Sequence, residues 1–272
     1  MQNFSATPRE MVASFWRNHS LIYALSKREV VGRYRGSYFG ILWSFINPLF
    51  MLIIYTFVFS MIFKARWNEQ SDSKTEFALV LFAGLIVFNF FSECIIKAPN
   101  LILSNVNYVK KVVFPLEILP WVSLYSALFH AAISLLVWLI AYGIFFGVPS
   151  VTILYIPVVI VPFALMIMGL SWILAGAGVY LRDIGQVISI FVSALMFLSP
   201  IFYSISSLPE KYQLMMLMNP LTIPVEEIRN CLFWGIEVNY GYLLVYGCLS
   251  FLICCAGFAW FQSVRKGFSD VL

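Results

Sequence analysis

The sequence predicts an all-α integral membrane protein with six transmembrane helices, an N-terminal amphipathic interface helix and two short re-entrant outer helices between spans 5 and 6. Three observations carry that expectation. The 272-residue chain is 61% apolar and 11% charged, whereas soluble domains carry about 25% charged residues; its mean hydropathy is +0.89. The apolar residues gather in runs separated by short polar stretches, and a run of ~20 is what a helix needs to cross the hydrocarbon core. Lys and Arg concentrate in alternate loops, the asymmetry that fixes orientation in a bilayer.

The chain organises around Lys27 to Pro48, KREVVGRYRGSYFGILWSFINP, where a basic segment passes directly into apolar sequence. Lys27, Arg28, Arg33 and Arg35 hold that end at the cytosolic surface, and Tyr34, Tyr38, Phe39 and Trp43 are rings of the headgroup level. Gly32, Gly36 and Gly40 loosen the helix there. Upstream, Thr7-Pro8-Arg9-Glu10 reads as a helix start with Thr7 as N-cap, Pro8 at the first position and Glu10 closing a capping box. Met11, Val12, Phe15, Trp16, Ile22 and Tyr23 then recur at three- and four-residue spacing, the pattern of a helix lying in the interface. Residues 1–37 are therefore read as a cytosolic interface segment and 38–272 as the transmembrane domain. The first apolar run begins after more than thirty polar or mixed residues, so no cleavable signal peptide is expected.

Span 1 is expected at 38–63, kinked at Pro48, which cannot donate to the Ser44 carbonyl. Span 2 covers 77–96, with Glu93 and Lys97 one turn apart and able to pair. The loop 98–115 is too polar and short to cross and returns to the cytosol. Span 3, 116–147, has Glu117 at its start and His130 mid-run; His130 is expected to have no acidic partner at a matching depth, which favours a packing role over a proton relay. Gly147-Val148-Pro149-Ser150 forms an outer turn. Span 4, 151–181, carries Gly169, Gly176 and Gly178 for close helix approach, and Arg182-Asp183 joins it to span 5, 184–203, as an antiparallel neighbour. Residues 207–235 contain two apolar helices of ~10 residues, too short to span, the first starting at Pro209 and the second running from Pro224 to Trp234 with Gly235 as its stop. Span 6 is 240–261.

The charge distribution supports both termini in the cytosol. Twelve of the 17 Lys and Arg residues fall in the inner segments of this topology, which the positive-inside bias explains without a nucleic-acid partner. The five cysteines have no acidic or His neighbours at metal-ligand spacing and read as small buried groups. No G-x-x-x-x-G-K-[ST], G-x-G-x-x-G after a strand or H-E-x-x-H occurs, so the chain offers no cradle for a nucleotide or catalytic metal. The spans also lack the mid-membrane charges of ion-coupled transport. A transporter built this way takes its energy from a partner.

The run SKREVVGRYRGSYFGILWSFINPLFMLIIYTFVFS followed by NVNYVKKVVFPLEILP resembles the membrane subunit of ABC-2 type polysaccharide exporters, the O-antigen export permeases, with teichoic-acid and capsule permeases as relatives. The resemblance implies an inner-membrane permease that moves lipid-linked polysaccharide out of the cytosol and is not itself an enzyme. Two copies would pair around a channel. Two separate ATPase subunits would bind ATP and Mg, leaving this chain without a cofactor. It places the ATPase contact on the N-terminal helix and the loop between spans 2 and 3, for which Arg33, Arg35, Asn105, Tyr108, Lys110 and Lys111 are the candidates. The short helices after span 5 would form an outer gate, with Met215, Met218, Ile228 and Phe233 as candidates.

For the substrate path the argument is chemical. Sugar C–H faces pack on aromatic rings, and a ring-lined channel grips a polymer weakly and repeatedly. Trp43, Phe50, Tyr55, Trp172, Phe191, Phe202 and Tyr203 are the candidates. A permease for teichoic acid, capsule or a small hydrophobic drug or lipid, and a non-transporting membrane scaffold, remain the alternative readings.

Overall fold

The computed structural model describes residues 5–62, 67, 74–110 and 114–272, and these contain helices and no strand. The helices are α1 (Pro8–Arg17), α2 (His19–Tyr34), α3 (Trp43–Tyr55), α4 (Lys74–Lys97), α5 (Val106–Lys110), α6 (Leu119–Phe145), α7 (Ile156–Tyr180), α8 (Ile184–Leu198), α9 (Glu210–Met216), α10 (Thr222–Arg229), α11 (Tyr240–Val264) and α12 (Phe268–Val271). Among the described residues, five helical stretches are long and apolar enough to cross a membrane: Gly40–Phe59, Thr75–Asn100, Leu116–Phe145, Val151–Tyr180 and Tyr240–Val271. These contain α3, α4, α6, α7 and α11. The sixth expected span is α8, apolar but of 15 residues, or roughly 22 Å at 1.5 Å per residue. It stops where the chain reaches Ser199-Pro200, with Ser199 extended.

The N-terminal segment follows its sequence signals in part. Thr7 Oγ1 accepts the Glu10 N–H at 3.3 Å, and Pro8 opens the helix. Glu10 does not close a capping box; its carboxylate pairs with Arg17 at 2.7 Å. The single amphipathic helix is instead two, broken at Asn18, whose side chain bonds back to the Ser14 carbonyl at 2.8 Å. The break rotates the stripe, so that Met11, Ser14, Ile22, Leu25 and Val30 are buried while Val12, Trp16 and Tyr23 face out. Gly36 and Gly40, with φ of 85° and 52°, make the turn into α3 that an L side chain would resist. Beyond Pro48, α3 runs into a wider π-type turn from Thr56 to Ile62, where the Thr56 hydroxyl donates to the Leu52 carbonyl at 2.7 Å.

Of the five long stretches, that of α4 alone is enclosed over most of its length, and it forms the centre of the bundle. Phe90 and Phe91 pack on Phe163 of α7, and Trp138 of α6 donates its indole N–H to the Leu79 carbonyl at 2.8 Å. Helices in lipid gain little from hydrophobicity between themselves, so close approach through small residues decides which pairs lock. α7 and α11 approach closely: a Cβ on Gly169 would sit 2.5 Å from the Ile253 carbonyl oxygen, and one on Gly257 would overlap the Gly169 carbonyl. Gly178 lies similarly against the Pro99 carbonyl. The glycine spacing of span 4 thus marks a real helix crossing.

Gly257→Leu is expected to force α7 and α11 apart and lower stability by about 3 kcal/mol, the upper range of overpacking in a well-packed core. A thermal-unfolding scan of the purified protein in detergent reads this as a lowered midpoint, while exposed Leu249→Ala should leave the midpoint nearly unchanged.

Candidate functional site

The functional geometry divides between the two ends of the bundle and the exposed faces joining them. At the end bearing α1, α2, α5 and the C-terminus, basic residues meet carboxylates from three helices. Arg33 of α2 lies 2.9 Å from Glu93 of α4, Lys97 bridges Glu93 at 3.0 Å and Glu29 at 2.8 Å, and His130 of α6 lies 3.0 Å from Glu93. The Glu93–Lys97 pair is the one predicted. His130, expected to lack an acidic partner, has one in α4, because the antiparallel return of the chain sets the two at the same depth. With its proton on Nδ1 toward Glu93, His130 Nε2 accepts from the Tyr34 hydroxyl at 3.2 Å. Arg33, Tyr34, Ser37, Trp43 and Asn47 line a polar cavity of about 490 Å³ beside this network.

The loop between α4 and α6 joins the same end. Arg28 donates to the Tyr108 hydroxyl at 3.0 Å, Tyr108 stacks on Phe114 at 4.3 Å, and Lys110 reaches the Leu272 carbonyl. Asn105 ties the loop's own turn through the Leu101 carbonyl at 2.9 Å. Tyr108 and Lys110 are therefore brought against α2 and the C-terminus. Arg33, proposed beside them, turns into the bundle toward Glu93 and His130 instead; Arg35, just past the end of α2, is exposed. Lys111 lies outside the described residues.

A second, unforeseen node sits next to this loop. Glu117, only 6% exposed, accepts from the Ser14 hydroxyl at 2.9 Å and from Arg265 at 2.5 Å. Arg265 also donates to the Phe114 carbonyl at 3.0 Å. One carboxylate thereby fastens α1, the start of α6 and the end of α11. Only the folded chain reveals this, since its two partners lie 103 and 148 residues away along the chain.

The aromatic candidates separate into two groups. Trp172 is fully buried, donating its indole N–H to the Glu117 carbonyl at 3.0 Å and packing edge-on against Phe258. It has no face to offer a substrate, and its assignment to a channel is corrected: a ring on the α7–α11 seam is a packing residue. The others sit on or near surface. Phe50 and Phe191 are exposed, Trp43 is half-buried against Phe39, and Tyr55 and Phe202 are brought together through Phe59, with centroid distances of 6.4 and 5.9 Å. Tyr203 is half-buried beside Met216. They belong to α3, α8 and the segment after α8, whose outward faces also expose Ile53, Phe57, Ile190 and Phe197.

At the far end Met215 and Met218 are exposed, whereas Ile228 is 3% exposed and Phe233 packs against Tyr142 and Phe146 of α6. Ile228 is a core residue of α10, not a free gate surface, because that helix is drawn into the bundle by Arg229. Arg229 is 1% exposed and donates to the carbonyls of Val80 at 3.0 Å, Pro200 at 2.5 Å and Ile201 at 2.6 Å. Glu226 lies 3.3 Å away, and the guanidinium covers the Trp67 ring at 4.5 Å. Burial lowers its pKa to about 10, so it stays charged at neutral pH. Gly84 leaves it room: a Cβ there would come within 2.7 Å of a guanidinium nitrogen. In the sequence Arg229 is one of the five Lys and Arg residues outside the inner segments. Its signal is an Arg three residues after Glu226 at the end of a short outer helix, TIPVEEIR.

Removing the Arg229 side chain leaves three buried carbonyls and Glu226 without their donor. Arg229→Ala should cost about 3–5 kcal/mol, the scale of breaking a buried ionic network by deleting one partner. Measured as detergent-resistant folded protein at equal synthesis, its yield should collapse, whereas exposed Lys211→Ala should match the parent.

The comparisons with known proteins agree with this architecture. The ABC-2 type transporter family profile matches residues 20–233. The chain is 25% identical over 254 residues to the O-antigen export system permease protein RfbA of Klebsiella pneumoniae, covering 93% of this chain and 95% of that one. It is 24% identical over 265 residues to RfbA of Myxococcus xanthus, covering 96% and 98%. It is 26% identical over 231 residues to the polysialic acid transport protein KpsM of Escherichia coli, covering 80% and 85%. With the family match spanning most of its length, this multi-pass membrane protein belongs to the ABC-2 type transporter membrane family.

Proposed function

We propose that the chain is the transmembrane subunit of an ATP-driven exporter that moves lipid-linked polysaccharide of O-antigen type from the cytosol across the inner membrane. The observation that carries this reading is likeness to O-antigen export permeases over more than nine-tenths of both chains. The basic end then faces the cytosol, with both termini, by the positive-inside bias. α8 serves as the sixth, short span. α9 and α10 lie at the outer face as a gate.

Two copies of the chain pair through the exposed apolar faces of α3 and α8. Long rows of exposed Leu, Ile and Phe suit lipid or a second subunit, and the ring-bearing members of those rows suit a sugar polymer passing between copies. Separate ATPase subunits dock at the basic end. The loop carrying Tyr108 and Lys110, which touches both α2 and the C-terminus, transmits their movement. Arg33, held by Glu93 and donating to His130 Nε2, passes that movement from α2 into α4 and α6 without needing to touch the ATPase itself.

Deletion of the chain is expected to remove surface polysaccharide and leave lipid-linked polymer in the cytosol, scored by surface glycan staining and extraction of the lipid fraction; unchanged surface glycan would refute the export role. The double reversal Arg28→Glu, Lys110→Glu is expected to reduce co-purification of the ATPase at least tenfold while the chain still inserts. If the pair co-purifies with ATPase at the parental level, the docking assignment is wrong; if even the parent recovers none, the scaffold reading gains instead.

A further inference from the structure

α11 closes at Val264, a tight turn follows over Arg265–Gly267, and α12 then packs on α5 and on α7. α12 has four residues, and isolated helices below ~12–15 residues are marginal in water. It is therefore held by side chains. Phe268 is 1% exposed, its ring edge-on to Phe261 of α11 at 5.7 Å and tilted against Tyr180 of α7 at 6.2 Å. The Tyr180 hydroxyl donates to the Val264 carbonyl at 2.8 Å. Gly267 lets the turn pass that hydroxyl, which would lie 2.5 Å from a Cβ there. The segment 265–272 is thus seated on the ends of α7 and α11.

The same segment grips the loop between α4 and α6 twice. Lys110 of α5 donates to the Leu272 carbonyl, and Arg265 donates to the Phe114 carbonyl at 3.0 Å while holding Glu117 at 2.5 Å. Tyr108 and Phe114, stacked at 4.3 Å, join the loop's two sides between these grips. Each grip ends on a main-chain carbonyl, one in the segment and one in the loop, so each fixes where a backbone lies and does more than balance charge. α7 and α11 in turn meet closely at Gly169 and Gly257, which leaves them little room to shift separately. We infer that residues 265–272 are a coupling strap, which ties the loop that meets the ATPase to the α7–α11 pair, with Phe268 as its positioning residue. The inference rests on the docking reading of that loop. It adds a route by which the loop's movement reaches α7 and α11, distinct from the one through Arg33. None of the docking candidates belongs to the strap, so the strap serves transport work and not retention of the ATPase.

The test uses the whole exporter, the chain purified into nanodiscs with the ATPase subunit that accompanies it, beside the same strains scored for surface glycan. Phe268→Ala empties the seat of the strap and leaves every docking residue in place. Per folded chain, recovered ATPase and its ATP hydrolysis are expected to stay within twofold of the parent, while surface glycan falls at least fivefold. Phe268→Leu, which refills the seat, should restore export. Unchanged export in Phe268→Ala overturns the strap, and so does a loss of ATPase, hydrolysis and export in the same proportion, the mark of a merely structural role. A second measurement needs no variant: hydrogen exchange over 101–110 and 265–272 in the parental complex, nucleotide-free against trapped with ATP and vanadate. Both segments are expected to change protection together. A response in the loop alone overturns the strap and leaves the docking reading standing. A response in neither, or a parent that recovers no ATPase, overturns the docking reading and the strap with it.

Discussion

Every backbone polar group placed in hydrocarbon must find a partner inside the protein, and the bundle is shaped by where that demand is hardest to meet. Regular helices meet it within themselves. The difficult place is the end of α8, where Ser199-Pro200 stops the helix and leaves the carbonyls of Pro200 and Ile201 outside any helical ladder. Arg229 supplies their donors from another element and holds Val80 of α4 at the same time. One side chain thereby joins α4, the end of α8 and α10. A short helix that would otherwise float in the interface becomes part of the core.

The opposite end solves a different problem, that of fastening water-facing helices to a bundle without burying unpaired charge. Glu93 and Glu117 each collect partners from distant elements: Arg33, Lys97 and His130 for the first, Ser14 and Arg265 for the second. Because the charges within each group are opposed and hydrogen-bonded, their burial is compensated. The consequence is mechanical. α2 is tied to α4 by the Arg33–Glu93 and Lys97–Glu29 pairs, and α4 to α6 by Glu93 and His130, so these helices are fastened to one another by short ionic contacts.

Between these two pinned ends, α3 and α8 bury only two residues each. Phe50, Phe57 and Phe191 keep exposed faces, while Trp172, of the same chemical type, is consumed by packing and a hydrogen bond. Availability, not aromatic character alone, separates a surface that can touch a polymer from one that cannot.

Much of the fold was legible in the residues. Long apolar runs, Pro and Gly at their ends and the Lys/Arg asymmetry placed α4, α6, α7 and α11 within a few residues, and Gly235 and Thr7 act as the stop and cap their types imply. These features depend on local chain physics and on the solvent, both of which act on neighbouring residues. What only the tertiary structure decided is which side chains at distant positions share a depth: His130 with Glu93, Glu117 with Arg265, Arg229 with Pro200, and Trp172 with the α7–α11 seam. Hydropathy and spacing specify how each segment meets lipid and water but not its rotation about its own axis. That rotation is set by close packing at glycines such as Gly169 and Gly257, which are contacts between segments that no single stretch of sequence contains.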